Sequence, residues 1–307
     1  MVARKGVACR LISVNIAWII FSDIGGFHAA ISRLWREKEL HNMTNLISFP
    51  NLGWSFLVNR SPFSVFGFSI FWYSIFIIIG LTLGAVYILK TLPKQGIPKD
   101  DIYNMLLFGT IIAIICSRIY YIIFSPQAFT FRNLLAIRDG GLAIYGIVIG
   151  AALTVWGYCK WKKLDSKLVF DAMAIPLLFA QALGRWGNFT NAEAFGGPTT
   201  NIFAMTIENS GRMIAEMVHP TFFYESMWNL AGVGFLFFYK RYAKFKGELF
   251  LAYVAWYGIG RGFIEGLRAD SLMLGNFRVS QWLAFLSAAA AIAVIAIART
   301  RMKQKSE

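Results

Sequence analysis

The chain has 307 residues, of which 57% are hydrophobic, 16% aromatic and only 15% charged, with a mean hydropathy of +0.55. That balance excludes a soluble pair of globular domains, which length alone would suggest. The formal net charge of +14 would fit a nucleic-acid binder, but its distribution along the chain argues against a nucleic-acid partner.

Residues 1–42 differ from the rest. They carry Arg4 and Lys5, an apolar run over Leu11–Phe21 and then the charged RLWREKE. They read as an N-terminal extension, either a start placed too early or a signal-like segment. A chain beginning at Met43 is expected to keep full activity. From there seven apolar runs follow: Phe68–Leu89, Met105–Phe124, Gly141–Cys159, Leu168–Phe189, Phe222–Tyr239, Leu249–Leu267 and Val279–Ala298. Crossing a bilayer takes roughly 20 apolar residues, and a lipid-embedded backbone must satisfy its own hydrogen bonds, so helix is the expected form. The expectation is an all-α polytopic membrane protein. Its seven-helix domain covers 43–298, with a small extracytoplasmic segment between the fourth and fifth helices and a basic tail over 299–307.

Charge orients these spans. Lys90–Asp100, Lys160–Lys167, Lys240–Lys246 and the tail from Arg299 hold fifteen Lys and Arg, whereas the alternate segments hold six: Arg60, Arg132, Arg138, Arg212, Arg268 and Arg278. Basic loops stay in the cytoplasm, so the core begins outside and its C-terminus is cytoplasmic. The basic face would also attract anionic membrane lipids.

Three further arginines, Arg118, Arg185 and Arg261, fall within or at the ends of spans. Each would cost about 2.5–3.5 kcal/mol at a helix centre. Snorkelling to the interface is the alternative for any one of them; their company, Glu193, Glu225 and Glu265, favours a buried function. In the sixth span, YGIGRGFIEGLRAD, the residues Arg261, Glu265 and Arg268 are spaced four and three apart, hence on one helix face. The stripe is a candidate anion site in which Glu265 holds the Arg261 guanidinium, or else a structural ion pair between helices. Five polar motifs then meet on one membrane face: SIFWYS, IRDGGLAIYG, GRWGNFTNAEAFGG, HPTFFYES and the end of the sixth span.

These residues resemble the bacterial prolipoprotein diacylglyceryl transferases. The family's signature is matched by Gly184, Arg185, Gly187, Asn188, Phe189, Asn191, Glu193 and Gly196. Support comes from the Gly140–Gly141 pair, His219-Pro with Tyr224-Glu225, the Arg261–Glu265–Arg268 spacing, Trp72–Tyr73 and Arg118, over roughly residues 45–300. The resemblance implies seven transmembrane helices in the bacterial cytoplasmic (inner) membrane. It implies transfer of the diacylglyceryl group of phosphatidylglycerol to the lipobox cysteine thiol in the signal peptide of a preprolipoprotein, releasing glycerol 1-phosphate. Arg185 and Arg261 would bind the phosphate and stabilise the leaving group. Tyr73, Arg118, Gly141, Asn188, Asn191, Glu193, Gly196, Glu225, Glu265 and Arg268 would line the substrate site.

One departure concerns the proton of the attacking thiol. Tyr145 stands where many members have a histidine, and a phenol with a pKa near 10 is a poor base. His219 is an alternative, as are Glu193, Glu225 and the departing phosphate. Cys116 and Cys159 read as small apolar packing residues and Cys9 has no evident pair. No His-x-x-x-His or Cys-x-x-Cys spacing occurs, and no cofactor is expected. A membrane transporter and a different phospholipid-headgroup enzyme remain the rival readings.

Overall fold

A computed structural model describes residues 44–65, 68–124, 143–209, 212–269, 271, 273–274 and 277–306. The extension over 1–42 and Gly141 lie outside them. Among the described residues, seven helices of 18 residues or more succeed one another: α1 (Trp72–Thr91), α2 (Lys99–Phe124), α3 (Ile144–Lys162), α4 (Ser166–Asn191), α5 (Thr221–Tyr239), α6 (Glu248–Glu265) and α7 (Val279–Ser306). Five of them, α1 to α4 and α7, are long and apolar enough to cross a membrane. The other two, α5 and α6, fall short in hydropathy because they carry Glu225 and Asn229, and Arg261 and Glu265.

The outer surface of the bundle is oily, with Leu81 60%, Ile123 66% and Phe238 68% exposed, as lipid rather than water demands. Between helices, small residues replace bulk. Gly146 and Gly150 of α3 sit so close to α2 that a Cβ would come within 2.4 Å of the Cys116 carbonyl oxygen and 2.8 Å of Cys116 Cβ. Without a hydrophobic force between helices in lipid, such close backbone approach is what holds them. Between α5 and α6, Trp228 and Trp256 stack at 4.7 Å. Each indole Nε1 donates to the other's backbone carbonyl at 3.0 Å.

The expectation of an all-α chain is corrected by eight short strands. A four-stranded antiparallel sheet has the order β2-β1-β5-β6, with β1 Thr44–Phe49, β2 Trp54–Asn59, β5 Met205–Asn209 and β6 Arg212–Val218. Two small hairpins precede α1 (β3 Phe63–Val65, β4 Phe68–Ile70) and α7 (β7 Met273–Leu274, β8 Phe277–Arg278). Short alternating runs such as NLISF are lost beside 20-residue apolar spans when hydropathy is read. Outside the hydrocarbon, sheet edges can bond to water, so the ban on open edges no longer applies. Ile47, Met205, Ile207 and Val218 from the sheet bury against Phe222, with Trp186 and Phe189 packed beside them. The Asn45 side-chain amide donates to the Thr190 carbonyl at 2.9 Å. The sheet is thereby seated on the C-terminal end of α4 and the start of α5.

The opposite end of the bundle is tied by carboxylates. Asp171 of α4 accepts from the Gly247 and Phe250 amides at 2.6 and 2.8 Å, capping α6. The fully buried Glu248 accepts from Tyr239, from the Lys244 amide and from Arg299 of α7. Asp165 pairs with Lys246 at 3.0 Å, which holds its carboxyl below the usual range. These contacts join α4, the α5–α6 turn and the end of α7 amid the basic segments.

Candidate functional site

Helix α4 ends in a strained hook. Ala192 and Ala194 both occupy the left-handed region, at φ of 54° and 57°, which costs a non-glycine residue about 1–2 kcal/mol. The Ala192 and Glu193 amides bond back to the Phe189 and Asn188 carbonyls at 3.0 and 3.1 Å. The hook turns Glu193 over the helix end, where its Oε1 accepts from Asn188 Nδ2 at 3.0 Å and from Asn191 Nδ2 at 3.1 Å. Asn188 Oδ1 in turn accepts from Arg185 Nη1 at 3.4 Å.

Arg185 leads to the centre of the site, Glu225 of α5. Its carboxylate is ion-paired to Arg185 from α4 on one oxygen, and on the other to Arg261 of α6 at 2.7 Å and to Arg268 at 3.7 Å. Arg261 Nη2 also reaches Glu265 at 2.6 Å, and Arg268 Nε lies 3.8 Å from the same carboxylate. The side chains of Glu225 and Glu265 are 4% and 3% exposed. Among the described residues, three guanidiniums here meet two carboxylates. Desolvated charges are costly unless paired, and the pairing fixes each planar guanidinium in one orientation. The three arginine side chains remain 12–19% exposed.

Arg278, which the sequence reading used only as a topology marker, completes the C-terminal end of α6. Its Nη1 donates to the Glu265 and Arg268 carbonyls at 2.5 and 2.8 Å. The Glu265 carbonyl, which also accepts from the Arg268 amide and the Ser271 hydroxyl at 3.2 Å, belongs to the helix end, where a cation is favoured. Its signal was present: a lone arginine just beyond the stripe and just before the next span. Ser226 was also missed, although it directly follows Glu225. It is fully buried, accepts from Trp186 Nε1 at 3.2 Å and donates to the Ala182 carbonyl at 3.1 Å, locking α5 to α4 beside the ion pairs.

The remaining expected residues distribute around this cluster. Tyr73 of α1 packs on Gly187, where a Cβ would come within 2.3 Å of Tyr73 Cδ2. The signature glycine thus admits an aromatic ring against α4, within electrostatic reach of Arg185 and Glu193. Tyr145, in the first turn of α3, lies 3.3 Å from the Ser280 hydroxyl of α7. Arg118 is buried in α2 with its guanidinium 5.4 Å from the Tyr121 ring centre. Gly196 is clamped in the loop after α4: its amide donates to the His219 carbonyl at 2.9 Å, and the Gly197 amide donates to the Leu267 carbonyl at 2.9 Å. A Cβ there would meet His219 Cβ at 2.6 Å and the Leu267 oxygen at 2.7 Å. Gly196→Ala should therefore lower stability by about 1–3 kcal/mol through overpacking. Thermal unfolding in detergent measures it, and an unchanged midpoint would refute the clamp.

His219 faces away from the arginines in its polar contacts. Its Nδ1 lies 3.3 Å from Asn201 Nδ2 and 3.4 Å from the Tyr224 hydroxyl, with Asn201 also donating to Tyr224 at 2.6 Å. Burial lowers its pKa from the usual 6.5. The folded state then holds fewer protons than the unfolded chain. The resulting stability is complete above the unfolded value and is lost as pH falls through the lower folded one. Unfolding series from about pH 7.5 to about pH 5 should show a decline that His219→Gln reduces.

Comparison with known proteins bears on this site. A family model described as prolipoprotein diacylglyceryl transferase matches residues 61–297. A Limosilactobacillus reuteri protein is 40% identical over 259 residues, covering 81% of this chain and 94% of its own length. A Listeria monocytogenes protein is 40% identical over 242 residues (76% and 87%), and one from Clostridioides difficile 38% over 226 residues (73% and 89%). All three are named phosphatidylglycerol–prolipoprotein diacylglyceryl transferase. The matched region contains α1 to α6, α7 as far as residue 297 and every arginine and carboxylate of the cluster, and the chain belongs to the prolipoprotein diacylglyceryl transferase family.

Proposed function

We propose that the protein transfers the diacylglyceryl group of phosphatidylglycerol to the lipobox cysteine thiol in a preprolipoprotein signal peptide. The observation that carries this reading is the cluster Arg185–Glu225–Arg261–Glu265–Arg268, three guanidiniums held in orientation by two buried carboxylates, at one end of an apolar bundle. Such a place suits a phosphate whose acyl chains stay in lipid. In the reaction a bond forms between the cysteine sulfur and the glyceryl carbon, the bond from that carbon to the phosphate oxygen breaks, and glycerol 1-phosphate leaves with the electron pair. Charge grows on the phosphate, and fixed guanidinium donors in a water-poor site stabilise it more than water could. Arg185 and Arg261 serve this role, Glu225 and Glu265 hold them in register, and Arg268 supports from the adjoining turn. Asn188, Asn191 and Glu193 form the polar wall at the hook, with Tyr73, Arg118 and Gly196 shaping the surrounding cavity and Gly141 assigned to it by motif position alone. Tyr145 and His219 are the candidates to take the thiol proton.

In this reading all seven helices cross the cytoplasmic membrane, the cluster and sheet lie on the outer side, and the end closed by Glu248 and Asp171 is cytoplasmic. The test is release of glycerol phosphate by purified protein given phosphatidylglycerol and a lipobox peptide. Release that stops with a Cys→Ser peptide supports transfer; release that ignores the thiol would replace it with headgroup hydrolysis.

A further inference from the structure

One helical turn deeper than the ion pairs, the seam between α4 and α5 holds two unsatisfied polar groups. Asn229 of α5 is 2% exposed, and its Nδ2 finds no hydrogen-bond partner among the described residues. Gln181 of α4 donates through Nε2 to the Tyr253 hydroxyl at 3.0 Å, but its buried Oε1 is likewise unpartnered. The two face the same level. Arg185 meets Glu225, Ser226 bonds to Ala182, and a Cβ on Gly232 would lie 2.8 Å from Leu178. In this antiparallel register Asn229, between Ser226 and Gly232, falls beside Gln181. Both are four residues from an ion-paired partner, Arg185 or Glu225, and so about 6 Å further into the bundle.

A buried amide without a partner costs roughly 1–3 kcal/mol, and it is not needed to hold a seam that Ser226 already closes. The unsatisfied group on Asn229 is a donor. In a diacylglyceryl phosphate the polar groups next below the phosphate are ester carbonyls, which can only accept. One hangs on the glyceryl carbon beside the one that undergoes attack, the other on the carbon beyond it. We propose that Asn229 Nδ2 donates to an ester carbonyl of the bound lipid. The contact sets how deep the glyceryl carbons sit beneath the arginines. Asn229 is then a lipid-backbone binding residue. This rests on the phosphatidylglycerol reading above and adds a requirement for ester-linked chains that the phosphate site alone does not impose.

The experiment compares diester phosphatidylglycerol with its dialkyl ether analogue, which keeps headgroup, phosphate and scissile bond but lacks both carbonyls. Glycerol-phosphate release in mixed micelles with a lipobox peptide is the readout. Wild-type protein should favour the diester by about five- to tenfold in kcat/KM, the worth of one buried hydrogen bond. Asn229→Leu should abolish that preference by lowering diester turnover alone, leaving the ether lipid within about twofold. Its unchanged ether turnover doubles as proof of folding. A preference that persists in Asn229→Leu, or a wild type indifferent to the two lipids, overturns the inference. Should Asn229→Leu lose both lipids together, Asn229→Ser decides: it keeps a donor in less volume, so retained ester preference supports the contact and equal loss overturns it. No release from either lipid by the wild type would instead sink the transferase reading.

Discussion

Replacing Glu225 by Gln is expected to lower stability by about 3–5 kcal/mol and to reduce turnover at least a hundredfold, the largest combined effect at any single position. The substitution keeps shape and removes one charge. Arg185, Arg261 and Arg268 all lie within 4 Å of that carboxylate, so three guanidiniums would lose a charged partner at once. Removing one partner of a buried ion pair leaves the other uncompensated, which costs far more than the pair contributes. The measurement is thermal unfolding in detergent, with and without phosphatidylglycerol. A phosphate delivered to the site would restore a negative charge among the arginines, so the lipid should stabilise Glu225→Gln more than the wild type. A midpoint shift no larger than that of a surface substitution, or equal stabilisation of both proteins by lipid, would show that Glu225 does not organise the arginines.

The second large effect is expected for Arg261→Lys. Arg261 bridges two carboxylates with separate nitrogens, Nη1 to Glu225 at 2.7 Å and Nη2 to Glu265 at 2.6 Å. A lysine keeps the charge but is a point donor on a flexible stem and cannot span both partners in one plane. If the guanidinium stabilises charge growing on the leaving phosphate, kcat should fall by about 10²–10³, with a smaller change in KM. Arg268→Lys is the comparison, since its contacts to the same two carboxylates are long, 3.7 and 3.8 Å. It should lose less than about tenfold. Arg261→Lys with kcat near wild type would remove the guanidinium from the transition state and leave it a structural role.

Much of the site was legible because helices impose a period. Arg261, Glu265 and Arg268 share a face by spacing alone, and their pairing follows from α6 being a helix. The GRWGNFTNAEAFGG run drew attention because glycine, arginine and amide side chains are out of place at the end of an apolar span. What spacing could not reveal is that Glu225, 36 residues before Arg261 and 40 after Arg185, is where the three arginines meet. That depends on the register of α5 against α4 and α6, set by side chains such as Ser226 and the paired tryptophans. Nor could hydropathy reveal the sheet. β1 pairs with β5 across more than 150 residues, Asn45 opposite Asn209, and such short alternating segments are weak signals beside the spans they separate.

The sequence by itself determined the helical membrane character, the grouping of basic segments at one end of the spans, and the residue types available for an anion site. Each follows from local chemistry: the cost of exposed backbone in lipid, the cost of moving charge through it, and the geometry of one helix turn. Only the tertiary structure decided which charges neutralise which, that Asp171 and Glu248 close one end, that a sheet caps the other, and that Asn229 is left with an unmet donor. Those outcomes depend on how five or more helices slide and rotate against one another. A shift of a single turn, about 5.4 Å, would part Glu225 from Arg185 and Arg261 without changing any helix.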